Sequence, residues 1–171
     1  DVLDGGAGRD TVSYLRAPDG VEVSLLRGRG SEGFAEDDVL RSIENLTGTM
    51  QGDMLTGDHG RNFLFGEGGN DTIAGNGGDD YILAGFGSDT IIFSGNRDEY
   101  DVSQSGIATI VDHIGGSMLD GTDLIGHAEV LRFADGDFQG FSMEKRVEAD
   151  FGQVRWLVLD RLMEAGLAFE R

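Results

Sequence analysis

The 171-residue chain contains no cysteine, a single proline and few basic residues. The absence of cysteine excludes disulfides, thiolate metal sites and cysteine nucleophiles. Because 13 basic residues face 32 acidic ones, the formal net charge is −19. Nucleic acids and anionic membranes need a basic face, so neither is expected as a partner. The sequence also lacks an apolar run of the kind that forms a signal peptide or a membrane span.

Catalytic motifs are missing as well. There is no HExxH for a zinc protease and no GxSxG for a hydrolase, and the three histidines His59, His113 and His127 are isolated from one another. We therefore expect no catalysis within this chain, although a parent protein may be an enzyme. Such an acidic composition is common in disordered chains, yet 39% of the residues are hydrophobic. Divalent cations that neutralise the carboxylates would reconcile the two facts, and the chain would then be compact only with metal bound.

A nine-residue repeat dominates residues 48–98, which hold thirteen of the 29 glycines in the chain. An acidic or amide residue recurs every nine positions, at Asp53, Asn62, Asp71, Asp80 and Asp89. An aliphatic residue follows each by two places, at Leu55, Leu64, Ile73, Ile82 and Ile91. A further copy contains Asp10 and Val12. This is the pattern GGxGxDxUx, a repeat associated with calcium binding in parallel β-structures.

Each nonapeptide divides into a six-residue loop and a three-residue strand whose aliphatic residue points inward. Glycine suits the loop because tight turns need positive φ and a bare backbone lets carbonyls converge. Two nonapeptides would complete one coil, and stacked coils would lie about 4.8 Å apart in parallel sheets. The sequence therefore predicts an all-β fold, a parallel β-roll or right-handed β-solenoid, with flanking capping strands and hairpins.

Stacking sorts the repeat carboxylates into two rows, which would repel without a cation between them. One row holds Asp53, Asp71 and Asp89. The other holds Asn62 and Asp80, with extension expected to Glu44 on one side and Asp98 on the other. Six to eight hard oxygen ligands in a flexible loop favour Ca²⁺ over Mg²⁺, and zinc lacks its usual ligands here.

Metal sites are predicted between successive members of each row, with further sites between Asp80 and Asp98 and near Asp10. Asn62 brings no charge, so its site is expected to be weaker than the others. About three to five calcium ions are expected in total, and folding should be coupled to metal.

One phrase occurs on both sides of the array. DVLRSIENL begins at Asp38 and is matched by DLIGHAEVL at Asp123, with an offset of 85 residues that also pairs Glu44 with Glu129. We interpret the two copies as caps, because the terminal turns of a solenoid expose core and unpaired strand edges. The alternative is that both glutamates are merely solvated charges.

Outside the repeats, alternation predicts strands at 11–14 and 21–25 that pair with each other, with a turn at 18–20 favoured over a calcium loop. Residues 27–38 are predicted to be an exposed loop. A hairpin is predicted from strands at 100–103 and 107–112. Apolar residues at helical spacing predict one amphipathic C-terminal α-helix over 143–165.

At the nonapeptides and the flanking phrases the chain resembles the RTX, or hemolysin-type calcium-binding, family. The resemblance implies a β-roll near the C-terminus of a bacterial protein exported by type I secretion. It further implies that the loop Asp and backbone carbonyls of two stacked loops bind each Ca²⁺. The residues so implicated, together with Asp10, are Asp53, Asp58, Gly60, Asn62, Gly66, Glu67, Gly68, Gly69, Asp71, Gly75, Asn76, Gly77, Gly78, Asp80, Ala84, Phe86 and Asp89.

The expected organisation is a β-roll module over 1–138 followed by the helical segment 139–171. The module would consist of an N-terminal repeat and cap (1–47), the core array (48–98), and a hairpin and second cap (99–138). Asp1 already lies in repeat phase, so we expect a catalytic or adhesive parent domain before this fragment. The predicted function is a secreted, extracellular module that folds on calcium and assists secretion and stability. The alternative is a polysaccharide- or surface-binding module, for which Tyr81, Phe86 and Phe93 are candidates.

Overall fold

The structure, a computed structural model, describes residues 1–106, 108–115 and 120–138. The described residues form strands and two short 3₁₀ segments, Gly33–Ala35 and Arg97–Glu99. In chain order the strands are β1 (Val2–Asp4), β2 (Thr11–Ser13), β3 (Glu22–Ser24), β4 (Arg29–Glu32), β5 (Val39–Arg41), β6 (Asn45–Thr47), β7 (Met54–Thr56), β8 (Phe63–Phe65), β9 (Thr72–Ala74), β10 (Tyr81–Leu83), β11 (Thr90–Ile92), β12 (Tyr100–Ser105), β13 (Ala108–His113), β14 (Thr122–Gly126), β15 (Val130–Phe133) and β16 (Gly136–Phe138). The predicted all-β class is confirmed for these residues.

The strands form two sheets. The first has the order β1-β5-β4-β3-β7-β9-β11-β15-β16, and the second has the order β12-β13-β14-β10-β8-β6-β2. From β6 to β11 consecutive strands alternate between the sheets, and each of β6 to β9 pairs in parallel with the strand 18 residues further on. This alternation follows from the nine-residue period, since three residues are long enough for one strand and six for the connection.

Both sheets are nevertheless mixed, so the parallel pairing predicted for the β-roll holds in the array but not across the whole of either sheet. Antiparallel pairs occur at the flanks, where hairpins were expected, between β3 and β4, β4 and β5, β12 and β13, β13 and β14, and β15 and β16. The helix predicted over 143–165 lies outside the described residues. The proposed division at residue 138 stays a prediction.

The aliphatic residue in the middle of each repeat strand builds the core. Parallel register aligns Leu55, Ile73, Ile91 and Leu131 in the first sheet, and Leu46, Leu64, Ile82 and Ile125 in the second. The members at Leu55, Leu64 and Ile73 have no exposed surface. Two facing columns of aliphatic side chains therefore fill the space between the sheets, and hydrophobic burial fixes the register of the loops.

Three local predictions about the N-terminal flank and the hairpin have different outcomes. The predicted pairing of strands 11–14 and 21–25 is wrong, because β2 pairs with β6 in the second sheet and β3 with β4 and β7 in the first. Residues 27–38 are not an exposed loop, since they contain β4 and a 3₁₀ turn with buried Ala35. The hairpin is confirmed, with β12 two residues longer than predicted and β13 of the predicted length but shifted by one residue.

The two matching phrases occupy corresponding places in opposite sheets. β5 lies in the first sheet and β6 in the second, whereas β14 lies in the second and β15 in the first. Ser42 and His127, which correspond at the 85-residue offset, both adopt left-handed backbone with φ of 50° and 59°. The sequence similarity of the two phrases thus extends to their backbone conformation.

Aromatic residues pack at the C-terminal flank. Phe93, Tyr100 and Phe133 have ring centroids 5.1–5.2 Å apart, and the Arg97 guanidinium lies over the rings of Phe133 and Phe138. The Tyr100 hydroxyl donates a hydrogen bond to buried Asp120. Phe93, Tyr100 and Phe133 thus belong to the same buried core as the aliphatic columns.

Candidate metal centre

Hydrogen bonds connect the repeat carboxylates from coil to coil along the first sheet, and we call this series the first ladder. The amide of Asp53 donates to Asp71 Oδ1 at 2.8 Å, and the amide of Asp71 donates to Asp89 Oδ1 at 2.9 Å. The amide of Asp89 in turn donates to Glu129 Oε2 at 2.7 Å, and Asp53 Oδ1 accepts from the amide of Val21. One oxygen of each carboxylate is thus fixed by the neighbouring coil.

The second ladder lies along the other sheet. The amide of Asn62 donates to Asp80 Oδ1 at 2.8 Å, and the amide of Asp80 donates to Asp123 Oδ1 at 3.0 Å. The expected extension to Asp98 is therefore wrong, because that residue lies in the 3₁₀ segment Arg97–Glu99 and is exposed. The chain instead makes the β12–β13 hairpin and returns to the ladder at Asp123.

The glutamates of the two matching phrases take part in the same pattern. Glu44 Oε2 accepts from the amide of Asp10 at 2.9 Å, just as Glu129 accepts from that of Asp89. Both glutamates therefore bond to a repeat backbone, which supports the capping interpretation over that of solvated charges.

The second carboxylate oxygen distinguishes the later loops of the array. Oδ2 of Asp71, Asp80 and Asp89 is buried and has no hydrogen-bond partner among the described residues, and the same is true of Asp10 Oδ2. A buried charged oxygen without a partner is strongly destabilising, since neither water nor a donor replaces its hydration. These oxygens require a cation or a proton.

Glycines make room at these oxygens. A Cβ atom added at Gly66 would collide with both the Ala84 carbonyl oxygen and Asp71 Oδ2, and one added at Gly75 would collide with Asp80 Oδ2. A carboxylate oxygen and a carbonyl oxygen from the next coil thus face the same small space beside Gly66. This juxtaposition of hard oxygens from stacked loops fits Ca²⁺.

The loops that carry these oxygens have an unusual backbone. The second and fourth positions are left-handed in loop 66–71, at Glu67 (φ 73°) and Gly69 (φ 109°), and in loop 75–80, at Asn76 (φ 67°) and Gly78 (φ 97°). Loop 84–89 has the same pattern at its two glycines, as does loop 5–10. Left-handed backbone is uncommon for non-glycine residues and often occurs at functional sites. Alternation of left- and right-handed residues reverses successive peptide planes within each loop.

Side chains alone do not form a metal cluster. Across residues 1–106, 108–115 and 120–138, no group of three or more His, Cys, Asp or Glu side chains is arranged to hold a metal ion. A metal held by one or two carboxylates must take its remaining ligands from backbone carbonyls or water, which suits Ca²⁺ and not zinc.

The remaining candidate ligands are distributed as the repeat requires. Gly66, Gly68, Gly75, Gly77 and Ala84 are buried at the first and third positions of their loops. Asp58, Glu67, Gly69, Asn76 and Gly78 are half-buried at second and fourth positions. Gly60 and Phe86 are exposed, the latter by 53%.

The raised pKa values of the ladder aspartates show that burial disfavours their charged form. Burial, with a smaller contribution from the carboxylates beside them, raises the pKa of Asp71 and of Asp80 to about 7. Burial likewise raises the pKa of Asp89 to about 6, with a contribution from Glu129, and that of Asp123 to about 9. All four lie above the ordinary aspartate value, so without metal the folded state binds protons more tightly than the unfolded chain.

This shift sets the pH dependence of the calcium-free protein. A raised carboxyl pKa gives stability that is complete below about pH 4 and is lost as pH rises through about 7, so acidification should promote folding. In excess chelator, we expect a larger β-sheet signal by far-UV circular dichroism at pH 5 than at pH 8. The control Asp101→Asn removes an exposed charge and should leave this difference in place. A β signal that stays level or falls between pH 8 and pH 5 would contradict the prediction.

Several functional positions were missed from the sequence. Asp123 and Glu129 had been assigned only to a cap, because the nine-residue phase is broken by the hairpin inserted before them. The amide of Val21 donates to Asp53 in the first ladder, because the pairing of β3 with β7 aligns Val21 with Asp53. Asp19 therefore lies outside this ladder. Thr49 contacts Asp53, and the sequence gives no signal for it, because Glu67 and Asn76 are also non-glycine residues at the second loop position.

The aromatic candidates for a surface-binding role do not form one exposed row. Phe93 is buried in the C-terminal aromatic cluster, and half-buried Tyr81 stacks on Phe63 with ring centroids 5.0 Å apart. Only Phe86 of the three is well exposed. Among the described residues, no helix is both long enough and apolar enough to cross a membrane.

Stacked nonapeptide loops with paired carboxylate and carbonyl oxygens define a class of calcium-binding repeat proteins. A comparison with family models agrees: residues 1–14 and 51–91 match the RTX calcium-binding nonapeptide repeat, in four copies. The chain therefore carries RTX, or hemolysin-type, calcium-binding repeats, as the sequence predicted. No curated protein matches the chain closely enough to be counted as a relative.

Proposed function

We propose that this chain is a calcium-dependent folding module of a protein exported by type I secretion. Its array would form a right-handed β-roll outside the cell and stabilise the larger protein to which it belongs. The observation that carries the proposal is the set of buried, partnerless Oδ2 atoms of Asp71, Asp80 and Asp89, the first two of which face Gly66 and Gly75. Bound Ca²⁺ would supply the positive charge that these oxygens lack.

The residues of this chain explain why it would be unfolded without calcium and folded with calcium. Without cation, buried carboxylates of like charge oppose stacking of the coils, and the net charge of −19 disfavours any compact state. With cation, the ladder hydrogen bonds and the aliphatic columns can form together. Affinities of about 10⁻⁴ to 10⁻³ M, typical of extracellular calcium modules, would keep the array unfolded in the cytosol.

A calcium titration tests the proposal directly. We expect the far-UV circular dichroism of the 171-residue chain to change from a disordered spectrum in excess EGTA to a β spectrum in several millimolar CaCl₂ at pH 8. MgCl₂ at the same concentration should not substitute, because Mg²⁺ requires stricter octahedral geometry. Identical spectra in EGTA and in CaCl₂ would overturn the proposal.

Other parts of the functional prediction belong to the same proposal. Catalysis is placed outside this chain, because the period of the carboxylates is explained by stacking and metal binding. The parent domain and the secretion machinery are proposed partners on the basis of the repeat class alone. Surface binding stays a secondary prediction, because no described feature favours a particular glycan.

A further inference from the structure

The five loops of the core array fall into two conformational groups. Loops 66–71, 75–80 and 84–89 have positive φ at their second and fourth residues, whereas loops 48–53 and 57–62 contain no residue of positive φ. The first two loops together make one coil, and we call residues 48–62 the first core coil. The difference determines where the second loop residue directs its amide.

In loop 48–53 that amide occupies the second oxygen of the repeat aspartate. The amide of Thr49 donates to Asp53 Oδ2 at 2.6 Å, and the Thr49 hydroxyl lies 3.0 Å from Oδ1. Asp53 Oδ1 also accepts from the amide of Val21 at 2.8 Å. Asp53 therefore has donors on both oxygens, whereas Asp71, one coil later, has none on Oδ2.

Thr49 is completely buried and also fixes the rest of its loop. Its hydroxyl oxygen accepts from the amide of Gln51 at 2.9 Å and lies 3.1 Å from the Gln51 carbonyl oxygen. One side chain thus contacts the carboxylate, an amide and a carbonyl within a single loop. Backbone groups that would have to turn toward a cation are instead bonded to protein.

In loop 57–62 an amide side chain, that of Asn62, is likewise bonded to protein groups. The amide of Asp58 donates to Asn62 Oδ1 at 2.8 Å, the counterpart of the bond from Thr49 to Asp53. Asn62 Nδ2 donates to the carbonyl of Glu44 at 2.9 Å and to Asp58 Oδ1 at 3.1 Å. The carbonyl of Gly57 accepts from Asn76 Nδ2. A neutral side chain with its own donors therefore lies where a charged one would need a cation.

We propose that the first core coil takes no calcium and is closed by its own hydrogen bonds, so that the metal-dependent part of the array begins at Gly66. The inference rests on the proposed calcium function and differs from the sequence prediction, which expected metal sites at Asp53 and Asn62. In this coil, N–H and O–H donors compensate the buried oxygens that a cation compensates in the later coils. Ion binding is thereby confined to part of a continuous repeat.

The number of bound ions tests this inference. Native mass spectrometry of the full chain in saturating calcium should give the same ion count for wild type and Asp53→Asn, and a lower count for Asp71→Asn. The double substitution Thr49→Gly/Gln51→Gly changes the loop from GTMQGD to GGMGGD, the pattern of the later loops. It removes the Thr49 hydroxyl and lets residue 49 adopt the positive φ that turns its amide away from Asp53 Oδ2. The double variant should therefore bind one more ion per chain.

The gained ion should depend on Asp53, so adding Asp53→Asn to the double substitution should remove it. A count that falls by one in Asp53→Asn alone would overturn the inference, as would a double variant that gains no ion. The gain-of-ion result remains informative even if Asp53→Asn does not fold. A wild-type chain that binds no calcium at all would instead overturn the proposed function, so the two failures can be distinguished.

Discussion

Replacing Asp71 with asparagine should raise the calcium concentration at the folding midpoint by about tenfold or more, which corresponds to a loss of at least about 1.4 kcal/mol of coupling. Asp71 lies at the centre of the first ladder, with ladder partners in the coils before and after it. Asparagine can still accept the bond from the amide of Asp53 through its carbonyl. It places an N–H₂ group where the partnerless oxygen was, and that group repels a cation.

The direction of the effect differs between the two metal states. In chelator, Asp71→Asn should be no less folded than wild type, because one of three stacked buried charges has been removed. In calcium it should be less folded at every subsaturating concentration. A circular dichroism titration with CaCl₂ at pH 8 measures the folded fraction of both proteins without calcium and at each calcium concentration.

Asp98→Asn is the matched control. It makes the same charge change at a position that continues the nine-residue phase but lies outside the second ladder. Its midpoint should stay within about twofold of wild type, since exposed charges contribute little. Equal shifts for the two variants would mean that overall charge, and not ladder position, governs the response to calcium.

Replacing Ile73 with alanine should lower the free energy of unfolding in saturating calcium by about 2–5 kcal/mol. Ile73 has no exposed surface and aligns with Leu55 and Ile91 in the first aliphatic column. Truncation leaves a cavity that this short strand cannot close, because parallel register holds its neighbours in place. Urea denaturation monitored by circular dichroism gives the value.

Ile92→Ala is the control for this second experiment. Ile92 flanks the inward position of β11 and is 36% exposed. The same truncation there should cost less than about 1 kcal/mol, because surface substitutions usually have small effects. Similar losses at Ile73 and Ile92 would contradict the assignment of inward and outward positions.

The sequence alone predicted the features that depend on local periodicity. A period of nine residues with one aliphatic position gave the alternation of strands between two sheets and the aliphatic columns, because each three-residue strand has one inward side chain. The stacking predicted for the array is therefore confirmed through β11, which ends at Ile92, but not for Asp98. The RTX repeat was recognised from the same residues, and a family model confirms it.

Flanking elements were predicted less well, because their partners are distant in sequence. β2 pairs with β6 and β3 with β7, although β2 and β3 are neighbours in the chain. The nine-residue phase pointed to Asp98 as the next ligand, but the ladder continues at Asp123 after an inserted hairpin. A period cannot show where the chain leaves a stack or where it returns to it.

The sequence by itself determined that five acidic or amide side chains would line two rows and that aliphatic residues would pack between them. Only the tertiary structure decided which of those side chains lack a partner. Asp53 and Asp71 occupy the same repeat position, yet one is bonded through Thr49 and Val21 while the other has a bare buried oxygen. The cause is the sign of φ at the second loop residue, which decides whether its amide faces the carboxylate or leaves that place to a cation.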